Sequence, residues 1–229
     1  MNRADLDRIF SDIYRQRLWG DGESTSGPGS GLERTAQIRA DITALVRRLG
    51  VRSLLDAGCG DFHWMPAVLL EIDSYIGVDV VRELVKRNRQ CHHAAGCQFE
   101  HVDITRDRLP TVDLILCRDV LPHLSLSEAT EALGNFRQSG STWLLATTFV
   151  DRVSNNDIAT GAWRPLNLVL EPFSLPTPTM LIDERCHHSG GIYADKRLGL
   201  WHLASGDLAT ISAVGRLWTS GGSLDRAPY

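Results

Sequence analysis

The chain has little of what marks most specialised protein classes. Only five of its 229 residues are cysteine, an odd number without framework spacing, which argues for reduced thiols over a disulfide scaffold. Its 20 glycines and 9 prolines are too few for a collagenous or low-complexity chain. No apolar run approaches the roughly 20 residues that span a bilayer. Met1-Asn2-Arg3-Ala4-Asp5 leads into a charged amphipathic pattern, not the apolar core of a secretory leader. A cytoplasmic protein with no membrane partner is therefore expected. Basic residues are also in deficit, with 24 Lys and Arg against 28 Asp and Glu and a net charge of −4. A phosphate-binding surface normally announces itself as a basic patch, so this slight acidity argues against nucleic acid as the default partner. What is present, at 43% hydrophobic and 23% charged, suffices to bury one globular core.

Hydrophobic periodicity divides the chain without revealing a repeat or a linker. Leu6, Ile9, Phe10, Ile13 and Tyr14 recur at helical spacing and predict an amphipathic helix running to about Leu18. The stretch from Trp19 to Gly31 holds five glycines and a proline and predicts no regular structure. A second helix is expected with Ile38, Ile42, Leu45, Val46 and Leu49 on one face, ending at Gly50. From there short aliphatic runs alternate with helical stretches. Strands are predicted at Val51–Leu55, Tyr75–Val78, Gln98–Val102, Leu114–Cys117 and Trp143–Thr148, and helices at His63–Leu70, Val81–Arg89 and Ser127–Gln138, with a loop from Val102 to Leu114. Such alternation predicts an α/β fold with a parallel sheet and right-handed crossovers. Thr179–Asp183 and Leu198–His202 would close it as an antiparallel hairpin turning near Ser189-Gly190-Gly191, giving a Rossmann-like seven-stranded mixed sheet.

The most informative segment is Leu54-Leu55-Asp56-Ala57-Gly58-Cys59-Gly60-Asp61-Phe62. Glycines after the first strand let a ligand approach backbone that a Cβ would shield, and Asp79, about 20 residues on, lies where a carboxylate can accept ribose hydroxyls. A dinucleotide site needs a small residue at the third fingerprint position, where this chain has His63. The segment instead resembles motif I of the class I S-adenosylmethionine-dependent methyltransferases, over roughly residues 50–150. That resemblance implies S-adenosyl-L-methionine as cofactor. Gly58 and Gly60 would lie under its methionine part, Asp79 on the ribose and Asp103 at the adenine amino group, with Cys59, Val80 and Ile104 beside them. Asp56 is read either as a partner of the cofactor ammonium or as a brace for the turn.

After the fourth strand the chain reads Arg118-Asp119-Val120-Leu121-Pro122-His123-Leu124. It is similar to the corresponding segment of small-molecule methyltransferases of the ubiquinone-biosynthesis type, with Arg118 and Pro122 as departures. No Asn/Asp-Pro-Pro-Tyr tetrapeptide follows, which argues against methylation of exocyclic base nitrogens. A hydroxyl becomes a good nucleophile as its proton leaves. His123 is read as the base, with Asp119 orienting it or serving as a second base; the alternative is a structural histidine beside the next helix. Arg118 would either approach the cofactor or pair with Asp119.

The flanks must supply the acceptor site, since a fold alone names no substrate. In residues 150–178, Asn156, Trp163, Arg164 and Asn167 offer polar and flat apolar groups to a small-molecule acceptor, unless the segment only braces the sheet edge. Tyr193, Asp195 and Lys196, just before the last strand, are read as further rim candidates or else as hairpin-turn residues. The N-terminal glycine and serine stretch is read as a lid with Trp19 over the ligand, or else as a surface loop. Neither Cys91-His92-His93 with Cys97 nor Cys186-His187-His188 has metal-ligand spacing, so no metal site is expected. One domain results, comprising N-terminal helices and lid (1–49), cofactor core (50–149), substrate-side insertion (150–178), closing hairpin (179–206) and tail (207–229).

Overall fold

Residues 3–20, 22–68, 71–92, 96–186 and 189–203 are described by a computed structural model. The tail and the last residues of the expected hairpin lie outside these, as do Leu70, His93, His187 and His188. Strands β1 (Ser53–Ala57), β4 (Leu114–Cys117) and β5 (Trp143–Phe149) are almost wholly buried and mostly apolar, as strands covered by helices on both sides must be. With β2 (Ser74–Asp79) and β3 (Cys97–His101) they form a parallel array. Strand β7 (Lys196–His202) adds antiparallel to β5, and β6 (Met180–Asp183) antiparallel to β7. The seven-stranded order is β3-β2-β1-β4-β5-β7-β6.

Helices cover both faces. Leu6 of α1 (Arg3–Arg15) and Ala129, Leu133 and Phe136 of α4 (Leu126–Gln138) pack on one face with Leu166, Leu168 and Phe173 of the insertion. Ile38, Ile42, Leu45 and Val46 of α2 (Leu32–Leu49) and Val85 of α3 (Arg82–Cys91) pack on the other. The chain leaves β1 in one direction towards β2 and β3 and returns on its other side at β4. This reversal opens a crevice at the carboxyl ends of the strands, the position where open α/β sheets bind ligands. No described helix is long and apolar enough to cross a membrane.

Several boundaries differ from the periodicity, β7 for one starting at Lys196 rather than Leu198, and three of the differences have a clear local cause. β1 starts two residues later than predicted, because Gly50 in the left-handed region (φ 65°) caps α2 and the Val51 amide donates back to the Val46 carbonyl. That shift puts Asp56 inside the strand. α1 ends at Arg15 rather than Leu18, with Arg17 at φ 52° turning the chain away. Between β1 and β2 only a 3-10 turn at Met65–Ala67 forms among the described residues, where Pro66 removes the amide a continuing helix would use.

Candidate functional site

A cavity of about 780 Å³ occupies the crevice, a volume within the range of small-molecule sites. Its floor is the turn after β1. The amides of Gly58 and Cys59 donate to the Val78 carbonyl, and that of Gly60 to Asp79 Oδ2 at 3.0 Å. Gly58 sits at φ 83°, and a Cβ there would overlap the Val120 side chain, so the turn can be this tight only with glycine. From α3 the buried Asn88 amide donates to the Gly60 carbonyl at 2.7 Å and fixes the far side of the turn.

Three carboxylates stand around this floor. Asp79, at the end of β2, accepts from Gly60 N through Oδ2 and from Val81 N at 2.9 Å through Oδ1, which leaves further lone pairs on both oxygens. Burial raises its pKa. Asp103 accepts from the Thr105 amide and hydroxyl through Oδ1, whereas its buried Oδ2 has no hydrogen-bond partner among the described residues. Asp56 accepts from the Tyr75 hydroxyl at 2.7 Å and from none of the turn amides, so it does not brace the turn directly. Burial pushes its carboxyl up to about 7; the neighbouring Asp79 charge adds to the shift, and the Tyr75 hydrogen bond and Arg118 partly oppose it. Cys59, Val80 and Ile104 also line the cavity.

The opposite end is built on the segment after β4. A capping box, in which Ser125 and Glu128 exchange hydrogen bonds, starts α4. This fixes the 3-10 turn Leu121–His123 just ahead of it. His123 donates from Nδ1 to the Ala162 carbonyl at 2.9 Å, since a carbonyl can only accept, and the neutral ring therefore carries its lone pair on Nε2. Burial lowers its pKa. The Trp19 ring lies against it at 4.2 Å between centroids. The Gly161 amide donates to the His123 carbonyl, and Arg164 Nη1 to the carbonyls of Leu121 and Pro122.

Asp119 is not the partner that orients His123. Its Oδ2 lies 2.6 Å from Lys196 Nζ, its amide donates to Thr147 Oγ1, and its backbone takes φ 58°. Burial alone would raise its pKa, but the Lys196 ammonium and the Arg118 guanidinium outweigh that and hold the carboxyl well below the usual range. Such a group stays ionised and is a poor base. Arg118 pairs chiefly with Glu184, at 2.7 Å, and more loosely with Asp119, at 3.6 Å. It also donates to the Gly29 carbonyl and lies over the Trp64 ring.

The N-terminal stretch lies over the floor. The Asp61 carboxylate accepts from the Ser24 hydroxyl, the Thr25 amide (2.7 Å) and hydroxyl, and the Ser26 hydroxyl, and the Asp61 amide donates to Ser26 Oγ. Glu23 meets His63 Nε2 at 3.1 Å and accepts from the Leu32 amide at the start of α2. Trp19, Thr25, Ser26 and Gly27 line the cavity, as do Phe10 and Tyr14 of α1. Asp61→Ala removes the one side chain that gathers these four donors of Ser24, Thr25 and Ser26. We expect S-adenosylhomocysteine to dissociate about tenfold faster, from a loss on the order of 1–2 kcal/mol. Stopped-flow displacement measures this, and an unchanged off-rate would show that the lid holds without Asp61.

The cavity gathers none of the polar insertion residues. Trp163 and Tyr193 line it and pack edge to face at 4.9 Å. Asn156, Arg164 and Asn167 do not line it. Arg164 bonds the Asn156, Leu121 and Pro122 carbonyls, and Asn167 bonds those of Val150 and Arg152 while accepting from Val169 N. A loop without regular structure must satisfy its own backbone, and the Arg164 and Asn167 side chains do so. Arg164 thus positions the turn that carries His123. Asp61, Glu184 and Lys196 complete the walls. Lys196 is legible only as a rim candidate in the sequence, and Asp61 and Glu184 are not marked by any local pattern.

Residues 55–139 match the family model described as Methyltransferase domain. No curated protein matches the sequence. Among solved structures, the N-methyltransferase NodS from Bradyrhizobium japonicum WM9 superposes with a TM-score of 0.56 at 13% identity, over 74% of this chain and 96% of its own. Magnesium protoporphyrin IX methyltransferase (ChlM) from Synechocystis PCC 6803, with bound SAH, gives 0.49 at 16% identity, over 66% and 74%. At these identities the likeness is one of fold.

Proposed function

We infer that this chain, a class I S-adenosylmethionine-dependent methyltransferase, methylates a hydroxyl of a small polar acceptor, with His123 as the base. The cavity fits the cofactor on its own features. The orphaned Asp103 Oδ2 calls for a donor such as the adenine amino group, and Asp79 keeps lone pairs for the ribose hydroxyls. Arg118, whose guanidinium is engaged by Glu184, Asp119 and Gly29, would act on the cofactor only through its charge. When bound, S-adenosylmethionine supplies an electrophilic methyl on a sulfonium. In this reading residues 3–31 close over the cofactor and the insertion walls the acceptor side with Trp163, beside Tyr193.

The observation that carries the hydroxyl reading is the Nδ1 hydrogen bond of His123 to Ala162, which fixes the tautomer with the lone pair on Nε2. Burial keeps the ring neutral at physiological pH. As the acceptor oxygen attacks, Nε2 takes its proton, and the ionised Asp119 faces the resulting imidazolium charge. Arg164 and Ala162 hold the ring in place meanwhile. The test is incubation with methyl-labelled cofactor and a panel of hydroxylated small molecules, with alkali-stable methyl ether as the expected product. Label on nitrogen would overturn it. That second reading, N-methylation of an amine or peptide, is favoured by the excess of carboxylates on the cavity wall.

Asp56 gives the cofactor reading a pH signature. Below about pH 7 its carboxyl is largely protonated. Binding the cofactor ammonium beside it must then displace that proton, so affinity rises with pH and levels off above about 7. Calorimetry with S-adenosylhomocysteine between pH 5.5 and 8 (about that range) should show the rise in the parent and a flatter profile in Asp56→Asn. An identical profile in both would remove Asp56 from cofactor binding.

A further inference from the structure

We propose that Glu184 is the anchor for a protonated amine on the acceptor, placed apart from the hydroxyl that meets His123. This rests on the methyltransferase reading of the cavity. Glu184 follows β6 directly, is 5% exposed and lines the cavity. Its Oε2 accepts from Arg118 Nε at 3.0 Å and Nη2 at 2.7 Å, with Lys196 Nζ at 3.2 Å. Its Oε1 is equally buried and has no hydrogen-bond partner among the described residues. An unmet buried acceptor of this kind is costly, and more so on a charged group. In a cavity wall, the donor it lacks can be brought by what enters.

Charge selects the kind of donor. Arg118 and Lys196 are already engaged by Glu184 and Asp119. The same cavity also presents Asp56, Asp79 and Asp103, so its buried acids outnumber its buried bases, and a bound cofactor with one net positive charge offsets only part of the difference. A cationic acceptor group offsets more, where a neutral hydroxyl would satisfy the hydrogen bond alone. Geometry favours an ammonium over a guanidinium. A guanidinium asks for two parallel acceptor oxygens, and Oε2 is taken by Arg118, whereas an ammonium is a compact charge that one oxygen can hold.

The anchor lies one ion pair from the reacting end. Lys196 Nζ bridges Glu184 and Asp119, and Asp119 begins the segment that ends in His123. The acceptor in this proposal is an amino alcohol, with its ammonium on Oε1 and its hydroxyl towards Nε2. The cofactor's own ammonium carries the same chemistry, so the experiment must separate the two sources.

The test is calorimetry on the full chain saturated with S-adenosylhomocysteine, using matched probes: ethanolamine against ethylene glycol, and aminocyclohexanol against cyclohexanediol. At least one amine is expected to bind about tenfold to a hundredfold more tightly than its diol, as a charge-assisted hydrogen bond provides. Glu184→Gln should erase that preference while S-adenosylhomocysteine affinity changes less than about threefold. His123→Asn should keep the preference, which separates this anchor from the base. The proposal is overturned if neither amine is preferred by the parent, if Glu184→Gln retains the preference, or if that variant loses cofactor affinity instead. Should Glu184→Gln fail to fold, a crystal structure of the parent with S-adenosylhomocysteine and the preferred amine decides: its nitrogen should lie within hydrogen-bond distance of Glu184 Oε1, and a nitrogen seated on another carboxylate overturns the proposal.

Discussion

Replacing Asp79 by alanine is expected to weaken S-adenosylmethionine and S-adenosylhomocysteine binding by about 100-fold or more while leaving the fold intact. The carboxylate has two duties at one place. It accepts the Gly60 and Val81 amides, which sets the pitch of the turn, and its remaining lone pairs face the cavity where the ribose is proposed to lie. Two charge-assisted hydrogen bonds to ribose, at about 1.5–3 kcal/mol each, amount to that loss. Folding should suffer much less, because burial raises the Asp79 pKa and its ionised form is disfavoured in the folded chain. Calorimetry and a thermal melt of the same sample separate the two effects. A variant that melts as the parent does and still binds would remove Asp79 from the cofactor site.

Replacing His123 by asparagine is expected to lower kcat by about 10²- to 10⁴-fold, the usual contribution of a positioned base, with cofactor affinity little changed. The pH profile adds a readout that a structural role would not move. The base must be neutral, and burial depresses its pKa. At saturating cofactor, kcat is therefore lost as pH falls through a midpoint below the ordinary histidine value of about 6.5 and stays level around neutrality. The variant should lack that acid limb. If it instead loses activity evenly across pH along with thermal stability, the ring is only packing against Trp19 and the insertion.

How much of this was legible in the sequence follows from the range of the contacts involved. Gly58, Gly60, Asp79 and Asp103 sit at or just beyond strand ends, where spacing along the chain translates directly into position at one edge of the sheet. The closing antiparallel pair was readable for the same local reason. Polar residues of the insertion were not. Asn156, Arg164 and Asn167 look like ligand-binding groups when only side chains are counted, yet an irregular segment over a buried edge needs partners for its own carbonyls. Asp61 joins a residue 36 positions before it, and Arg118 joins Glu184 66 positions on. No local pattern records such pairs. The predicted helix at His63–Leu70 overlooked Pro66, and the early start of β1 overlooked how far the Gly50 cap extends.

The account rests on one ligand in one orientation, and a crystal structure of the chain with S-adenosylhomocysteine tests it most directly. The adenine amino group should lie within hydrogen-bond distance of Asp103 Oδ2, the ribose hydroxyls on Asp79, and the sulfur at the end of the cavity that holds His123. A crystal grown at saturating ligand in which the nucleoside lies elsewhere, or binds with its ribose away from Asp79, would contradict it.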